Sequence, residues 1–180
     1  MTAAKTVVAV LWVAFWAYWG LSALRSKRGT RSWRGMPLRA LLALALILLF
    51  THVRADSFRV HGTVLPVLGA VIVACGLGFA VWARVNIGRN WGMPMTVKEE
   101  PELVTSGPYR LVRHPIYTGI LTAVVGTALV VNLLALVIAA VVAVFFVYSA
   151  TVEERNLGAT FPDAYPAYRE RTKMLIPFVL

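Results

Sequence analysis

The fold is decided by the stretch PIYTGILTAVVGTALVVNLLALVIAAVVAVFFVYSATV, residues 115–152, which contains no charged side chain. Arg113 and His114 precede it directly, and Glu153 and Glu154 follow it directly. A helix rises about 1.5 Å per residue and a hydrocarbon core is about 30 Å thick, so this stretch is too long for one span and fits two. The sequence therefore predicts a helical hairpin, which returns the carboxylate pair to the membrane surface where the basic pair lies.

Composition places the chain among integral membrane proteins. Of its 180 residues, 59% are hydrophobic and only 14% are charged, and its mean hydropathy is +0.72. These values lie well outside the range of soluble domains of this size. The single Cys75 excludes a disulfide within the chain.

Three further apolar runs precede the hairpin. Residues 6–24 and 62–83 are long enough to span a bilayer, and the shorter run 40–53 is extended when Arg39 snorkels to the interface. The hairpin is expected to turn near Asn132, the only strongly polar side chain in its middle. We therefore predict an all-α, polytopic membrane protein with five transmembrane helices.

The chain is expected to form one membrane-integral domain over residues 1–180. Three spans occupy residues 1–85, and the polar segments and the hairpin occupy residues 86–180. The first span is expected to be retained, because its apolar run is long for a signal peptide and a cationic loop follows it at once.

Basic residues set the orientation. The loop 25–39 carries six Lys or Arg residues and no acid, so the positive-inside rule places it in the cytoplasm. Alternation then puts the N-terminus outside, and it puts the segment 84–114 and the tail from Glu153 onward on the cytoplasmic side. A bacterial or archaeal cell membrane fits this arrangement. The net charge of +10 is explained by orientation and by anionic lipid headgroups, so no nucleic acid partner is expected.

The start of the hairpin has the features of an anion site. Pro115 suits the first position of a helix, and His114 is placed to cap that helix. The free amides of Ile116 and Tyr117, together with Arg113, are then positioned to receive a carboxylate or phosphate. The alternative is that the arginines of this segment are snorkelling anchors at the membrane surface.

The end of the hairpin carries the opposite charge. Glu153 and Glu154 lie where the last span leaves the membrane, and acids near a helix C-terminus are unfavourable to the helix dipole. A cation should compensate them. Arg113 or Arg155 in a structural ion pair fulfils this requirement as well as a cationic ligand does.

The combined motifs resemble a known family. The run GPYRLVRHPIYTG at residues 107–119, the segment EERNL at 153–157, and the tail elements YPAYRER at 165–171 and IPF at 176–178 are similar to those of the isoprenylcysteine carboxyl methyltransferases. The similarity covers about half of the chain, roughly residues 86–178, which this resemblance makes the catalytic core.

The resemblance implies a binding site for S-adenosylmethionine at the cytoplasmic ends of the last two spans. Arg113, His114 and the following amides are assigned to the polar methionine end, Glu153 and Glu154 to its ammonium, and Tyr109 or Tyr117 to the adenosine. The full set implied for the cofactor is Val104, Tyr109, Arg113, His114, Tyr117, Gly119, Glu153 and Glu154.

The implied reaction is methyl transfer to a lipophilic small molecule or a prenylated substrate. A prenylcysteine-like or isoprenoid carboxylate needs no general base, and Arg89 is the candidate catalytic residue that orients it. A phospholipid amine must first lose a proton, and Glu153 is the candidate base. The candidate substrate-binding residues are Arg89, Asn90, Trp91 and Arg171.

Several alternatives stay open. Phospholipid N-methyltransferases share a similar cofactor motif, and the Gly76-Leu77-Gly78 step resembles one of their glycine pairs, although close helix packing is the simpler interpretation. A small membrane protein that only binds anionic lipids is a candidate of another class. A nicotinamide-dependent sterol reductase is a third candidate, for which the chain offers little. No metal site is expected, because the histidines of the predicted outer side have no cysteine or carboxylate cluster beside them.

Overall fold

The computed structural model describes residues 3–24, 29–31, 58–91, 96–98 and 101–177. Within them lie five helices: α1 (Ala3–Ala23), α2 (Val64–Ile87), α3 (Pro115–Val130), α4 (Ala135–Thr160) and α5 (Ala164–Arg171). Short 3-10 turns occupy Gly88–Asn90 and Gly107–Arg110.

The described helices confirm the predicted all-α class, and one short pair of strands is added to them. Strands β1 (Gly29–Arg31) and β2 (Thr96–Lys98) pair antiparallel, with Gly29 opposite Lys98 and Arg31 opposite Thr96. Each is three residues long, so neither produces a detectable alternation in the sequence. The strand pair connects the basic loop 25–39 with the segment that leads into α3.

Three of the described helices are long and apolar enough to cross a membrane: α1, α2 with its 3-10 extension to Asn90, and α4. The apolar helix α3 is shorter, at 16 residues. These helices and the composition make the chain an integral membrane protein. The predicted span 40–53 lies outside the described residues, so the count of five spans stays a prediction.

Helices α2 and α3 meet along four glycines, which we call the glycine seam: Gly69 and Gly76 of α2, and Gly119 and Gly126 of α3. A Cβ atom on Gly76 would lie 2.6 Å from the carbonyl oxygen of Gly119, and one on Gly126 would lie 2.7 Å from that of Gly69. The backbones therefore touch, as small residues allow in membrane proteins. The packing interpretation is confirmed for Gly76, whereas a Cβ on Gly78 would meet nothing within 4 Å.

Helix α1 packs on the outside of this pair. Its buried Phe15 and Trp19 join Val73 and Leu77 of α2 in the main apolar core. The indole of Trp12 donates a hydrogen bond to Thr127 Oγ1 of α3 at 3.0 Å, which satisfies its one polar atom. Helix α1 is thereby fixed against both seam helices.

The chain turns between α3 and α4 beside Asn132. The side-chain oxygen of Asn132 accepts a hydrogen bond from the amide of Leu134 at 2.8 Å, an arrangement typical of asparagine in turns. At the other end of the pair, the ring of Tyr117 stacks on that of Phe146 with centroids 4.3 Å apart. Helix α4 thus runs back along α3 and brings Glu153 and Glu154 to the start of α3.

Candidate functional site

The segment before α3 is shaped by a glycine that faces α2. Gly107 has φ +58°, and a Cβ atom there would collide with the side chain of Asn86. Only glycine adopts this conformation at so close an approach without strain. The 3-10 turn that follows buries Pro108 and Tyr109, and it delivers the chain to His114, the N-cap residue of α3.

The C-terminal tail lies alongside this segment as a strap, which we define as residues 172–175. The amides of Arg113 and His114 donate hydrogen bonds to the carbonyls of Lys173 at 2.8 Å and Met174 at 3.1 Å. The hydroxyl of Thr118, in the first turn of α3, donates to the carbonyl of Leu175 at 2.6 Å. Backbone contacts therefore fix the strap against the N-terminus of α3.

The two predicted motifs form one carboxylate cluster: Arg113, His114, Tyr117, Glu153 and Glu154. Glu154 Oε1 accepts from Arg113 Nε at 2.7 Å and lies 3.3 Å from His114 Nε2. Glu153 Oε1 accepts from the Tyr117 hydroxyl at 2.5 Å, and its Oε2 lies 3.5 Å from His114 Nδ1. His114 therefore bridges the two carboxylates.

Arg113 forms the structural ion pair that was one of the two sequence alternatives. The side chains of Arg113 and Glu154 are only 9% and 7% exposed, so the pair is largely shielded from water. The guanidinium also donates from Nη1 to the carbonyl of Arg169 at 3.2 Å and to that of Thr172. Arg113 thus links α4, α5 and the strap.

His114 carries a positive charge more readily than an ordinary histidine. Burial lowers its pKa, but hydrogen bonds and charge attraction from Glu153 and Glu154 outweigh burial, and the net pKa lies above the ordinary value of 6.5. A protonated ring donates from both nitrogens, which suits its position between two carboxylates.

Beyond the cluster, a cavity of about 600 Å³ opens between the end of α4 and α5. Its lining includes two acids, two arginines and a tyrosine: Glu154, Glu170, Arg155, Arg169 and Tyr165. Glu154 Oε2 lies 3.8 Å from Nε of Arg169, whose side chain is 66% exposed.

Tyr165 is the notable member of this lining. It is only 3% exposed, and its buried hydroxyl makes no hydrogen bond of ordinary geometry with a described residue, although it lies close to the Glu154 carboxylate. Burial raises the pKa of this hydroxyl, and the nearby charge of Glu154 raises it further. By contrast, the neighbouring Tyr168 donates its hydroxyl to the carbonyl of Tyr109 at 2.7 Å. The sequence marked both tyrosines only as part of a family-like tail.

Tyr109 lies between the cluster and the end of α2. Burial raises the pKa of its hydroxyl, Tyr168 and Glu153 raise it further, and the positive charge of Arg84 acts in the opposite direction. The predicted site residue Tyr109 is therefore near the cluster, where Glu153 influences it.

Arg84 is a buried polar residue that no sequence pattern marks as functional. It is 4% exposed and donates to the carbonyls of Ser22 and Gly88, both at 2.6 Å. Its guanidinium lies 4.8 Å from the ring centroid of Trp91, in a cation–π contact. It therefore fastens α1 to the corner after α2 and positions Trp91. Its place at the edge of an apolar run suggested only a span boundary.

The predicted substrate residues lie at this corner and on α5. Arg89 is exposed in the 3-10 turn, and the side-chain oxygen of its neighbour Asn90 is buried without a partner among the described residues. Trp91 packs edge-on against Trp19, with centroids 5.5 Å apart. Arg171 is exposed at the end of α5 and donates to the carbonyl of Ala167.

The structure does not bring every predicted cofactor residue to the carboxylate cluster. Gly119 belongs to the glycine seam, where its missing side chain admits the backbone of Gly76. Val104 is half-buried in the irregular segment before the 3-10 turn. Among the described residues, no group of three histidine, cysteine or acidic side chains is arranged for a metal ion.

The chain is similar to several proteins that are named as methyltransferases. Residues 64–164 match the phospholipid methyltransferase family. Protein-S-isoprenylcysteine O-methyltransferase B of Arabidopsis thaliana is 31% identical over 115 residues, which are 62% of this chain and 58% of that protein. Methanethiol S-methyltransferase 1 of Bradyrhizobium diazoefficiens is 38% identical over 78 residues, 43% of this chain and 27% of that protein.

A relative with a different kind of name is also similar. A cobalt-zinc-cadmium resistance protein of Cupriavidus metallidurans is 32% identical over 133 residues, 72% of this chain and 56% of that protein. The chain thus spans a little over half the length of this protein and of the Arabidopsis enzyme. The family match covers more than half of the chain, from α2 to the start of α5, and so includes the glycine seam and the carboxylate cluster. The chain belongs to the phospholipid methyltransferase family of membrane methyltransferases, with the isoprenylcysteine carboxyl methyltransferases among its relatives.

Proposed function

We propose that the chain is an enzyme that transfers a methyl group from S-adenosylmethionine to a lipophilic acceptor, by carboxyl O-methylation of a prenylcysteine-like or isoprenoid acid. The observation that carries this proposal is the carboxylate cluster, in which two motifs separated by two apolar helices meet beside an open cavity. The relatives named as isoprenylcysteine O-methyltransferases support the choice of acceptor.

The residues present fit S-adenosylmethionine. This compound carries a carboxylate, an ammonium, a sulfonium and an aromatic adenine. The cavity lining includes the acid Glu154, the arginine Arg169 and the aromatic Tyr165. Glu154, with Glu153 and His114 behind it, would hold the cationic end, and Tyr109 and Tyr117 are the aromatic candidates for the adenosine. When bound, the compound supplies an electrophilic methyl group on a sulfonium.

The surroundings of the cluster favour such a transfer. The rings of His114 and Tyr117 stack at 5.5 Å, Tyr117 stacks on Phe146, and Leu175 of the strap completes this apolar wall. Attack of an anion on a sulfonium cancels charge, so a site that excludes water favours the reaction. The wall supplies that exclusion next to the charged residues.

The protein's own acids favour an acceptor that is already ionised. Glu153 accepts a hydrogen bond from Tyr117 and lies beside the bridging His114. Both of its oxygens are thus engaged within the cluster, whereas a carboxylic acid substrate is ionised near neutral pH and requires no base. The carboxylate of the acceptor would bind at Arg89, Asn90 and Trp91. Arg171 would contact the headgroup of the substrate or the membrane surface.

A phospholipid amine is the second candidate acceptor, favoured by the description of the matching family. With an amine, Glu153 would have to accept a proton before the transfer. Non-enzymatic binding of anionic lipids is the candidate of another class, and it requires no affinity for S-adenosylmethionine.

The proposed topology places this site at the cytoplasmic face, with the N-terminus outside and five spans in all. The pairing of β1 with β2 supports a shared side for the loop 25–39 and the segment before α3, because the two strands touch. The proposed setting is a bacterial or archaeal cell membrane.

Radiolabelled methyl transfer to a panel of acceptors tests the proposal. Purified protein is incubated with labelled S-adenosylmethionine and prenylcysteine acids, fatty acids or phosphatidylethanolamine. We expect label in a prenylcysteine ester that mild base hydrolyses. Base-stable label in phosphatidylethanolamine would show that the acceptor is an amine and not a carboxylate. Absence of both transfer and cofactor binding would leave the lipid-binding alternative.

A further inference from the structure

Arg84 is a buried cation in the last turn of the membrane-spanning helix α2. An arginine that anchors a helix at the membrane surface extends its charged group into water. Arg84 is only 4% exposed, and its guanidinium is used inside the protein. Its Nη1 donates to the carbonyl of Gly88 and its Nη2 to that of Ser22, both at 2.6 Å. Arg84 therefore holds other parts of the protein in place.

The two carbonyls belong to different segments that meet at the corner after α2. Ser22 lies in the last turn of α1, and Gly88 begins the 3-10 turn that carries Arg89 and Asn90. A guanidinium presents its donors as a rigid, planar fork, so Arg84 fixes the spacing between the two segments. A lysine has all of its donors on one nitrogen and lacks this fork.

The same guanidinium also fixes the side chain of Trp91. It lies 4.8 Å from the centroid of the Trp91 ring, in a cation–π contact. Trp91 also meets Trp19 of α1 at nearly a right angle, with centroids 5.5 Å apart. The position of Trp91 therefore depends on Arg84 and on α1, which Arg84 ties to the same corner.

This corner adjoins the carboxylate cluster through Tyr109. Burial raises the pKa of the Tyr109 hydroxyl, Glu153 raises it further, and Arg84 lowers it. Arg84 and Glu153 thus both lie close enough to Tyr109 for their charges to act on the same hydroxyl. The proposed acceptor residues and the proposed donor site are therefore neighbours.

We propose that Arg84 is a positioning residue for the methyl acceptor: it holds Trp91 and the 3-10 turn in the arrangement that binds the acceptor beside the carboxylate cluster. This rests on the proposed function, in which Arg89, Asn90 and Trp91 bind the carboxylate of the acceptor. Arg84 acts through these residues and not by contact with the acceptor. Its loss should weaken acceptor binding and leave the methyl-donor site intact.

The kinetics of methyl transfer by Arg84→Gln test this role. The kcat and the KM for the acceptor are measured with labelled S-adenosylmethionine, and the affinity for S-adenosylhomocysteine is measured by calorimetry. A variant that only folds less well contains fewer active molecules, which lowers kcat and leaves KM unchanged. Trp12→Phe is the matched control, because it breaks the hydrogen bond from α1 to Thr127 and leaves the contacts of Arg84 in place.

We expect Arg84→Gln to raise the KM for the acceptor by about tenfold or more, with kcat and the affinity for S-adenosylhomocysteine within about twofold of the wild type. Arg84→Lys keeps the charge without the fork and should raise KM by less. Trp12→Phe should leave KM unchanged. An unchanged KM in Arg84→Gln, or an equal loss of affinity for acceptor and S-adenosylhomocysteine, would overturn the assignment. If the wild type methylates no acceptor, the proposed function itself fails, and this role fails with it.

A fluorine NMR measurement reports on Trp91 without any activity. The six tryptophans are replaced by 5-fluorotryptophan, and the signal of Trp91 is identified by its loss in Trp91→Phe. Arg84→Gln should shift this signal, whereas Trp12→Phe should leave it in place. Arg84→Lys provides the same comparison if Arg84→Gln does not fold. A Trp91 signal that neither Arg84 variant moves would show that Arg84 does not act through Trp91, and would overturn the assignment.

Discussion

The glycine seam holds helix α3 along one side, and the carboxylate cluster holds it at its start. The two regions differ in the kind of contact that they make. In the seam, backbone packs directly against backbone. A Cβ atom added at Gly76 would lie only 2.6 Å from the carbonyl oxygen of Gly119. The cluster consists of charged side chains from the start of α3 and the end of α4, closed by the strap. The seam therefore sets the position of α3 by shape, whereas the cluster joins separate segments by charge.

The two regions should also differ in the properties that they affect, which are folding for the seam and both folding and binding for the cluster. The seam offers no group that a ligand can bind, so its residues should affect folding alone. The cluster contains buried charges that stabilise one another, and one of them, Glu154, also lines a cavity. Substitutions in the cluster should therefore alter both stability and binding.

The largest effect is expected for Arg113→Ala. It leaves the buried carboxylate of Glu154 with one fewer cation and frees the strap from its side-chain anchor, so the free energy of unfolding should fall by about 3–5 kcal/mol. The measurement is unfolding in detergent, followed by circular dichroism. Arg110→Ala is the control: Arg110 belongs to the same motif but is exposed, and its removal should change the value by less than about 0.5 kcal/mol. Equal stability of the two variants would show that the cluster contributes no net stabilisation.

Gly76→Ala should have the next largest effect. The new methyl group meets backbone atoms of Gly119 and Ala123 at 2.6 and 2.7 Å, so α2 and α3 must separate. The expected loss is about 1–3 kcal/mol, as for other overpacked sites, with little change in ligand affinity once the protein is folded. Gly78→Ala, two residues further along α2, meets open space and should be neutral or slightly stabilising. Equal free energies of unfolding for Gly76→Ala and Gly78→Ala would show that close backbone packing at Gly76 does not stabilise the fold.

A smaller effect is expected from pH. The pKa of His114 is raised in the folded protein, so its contribution to stability is complete below the unfolded value of about 6.5 and is lost as the pH rises through the raised folded value. Each unit of that rise corresponds to about 1.4 kcal/mol. The unfolding midpoint of the wild type should therefore fall as the pH increases above about 6.5, and His114→Gln should flatten this dependence. A pH profile that His114→Gln leaves unchanged would assign the effect to another group.

Much of this arrangement follows from local sequence signals. Pro115 after His114 marks the helix start, Asn132 marks the turn, and the apolar run between the two charged pairs requires the chain to return. Each of these features depends on a few neighbouring residues and on the thickness of a bilayer. The interpretation of Gly76 as a packing residue succeeded for the same reason, since small residues are common where membrane helices touch.

The remaining features depend on contacts between distant segments. The strap is held by backbone amides of Arg113 and His114, and no side-chain pattern encodes such a pairing. Arg84 looked like a span boundary because its two carbonyl partners, on Ser22 and Gly88, are fixed only by the tertiary fold. The burial of the Tyr165 hydroxyl is invisible in a sequence, because burial is a property of the packed structure.

A calorimetric titration of the folded protein with S-adenosylhomocysteine, for the wild type and for Glu154→Gln, tests whether the carboxylate cluster is the cofactor site. If the cluster is the cofactor site, the wild type binds saturably with one ligand per chain, and Glu154→Gln weakens binding by about tenfold or more through loss of a charged partner. Gly78→Ala, which lies outside both regions, should bind as the wild type does. Absence of binding to the folded wild type, or equal affinity in Glu154→Gln, would contradict the claim.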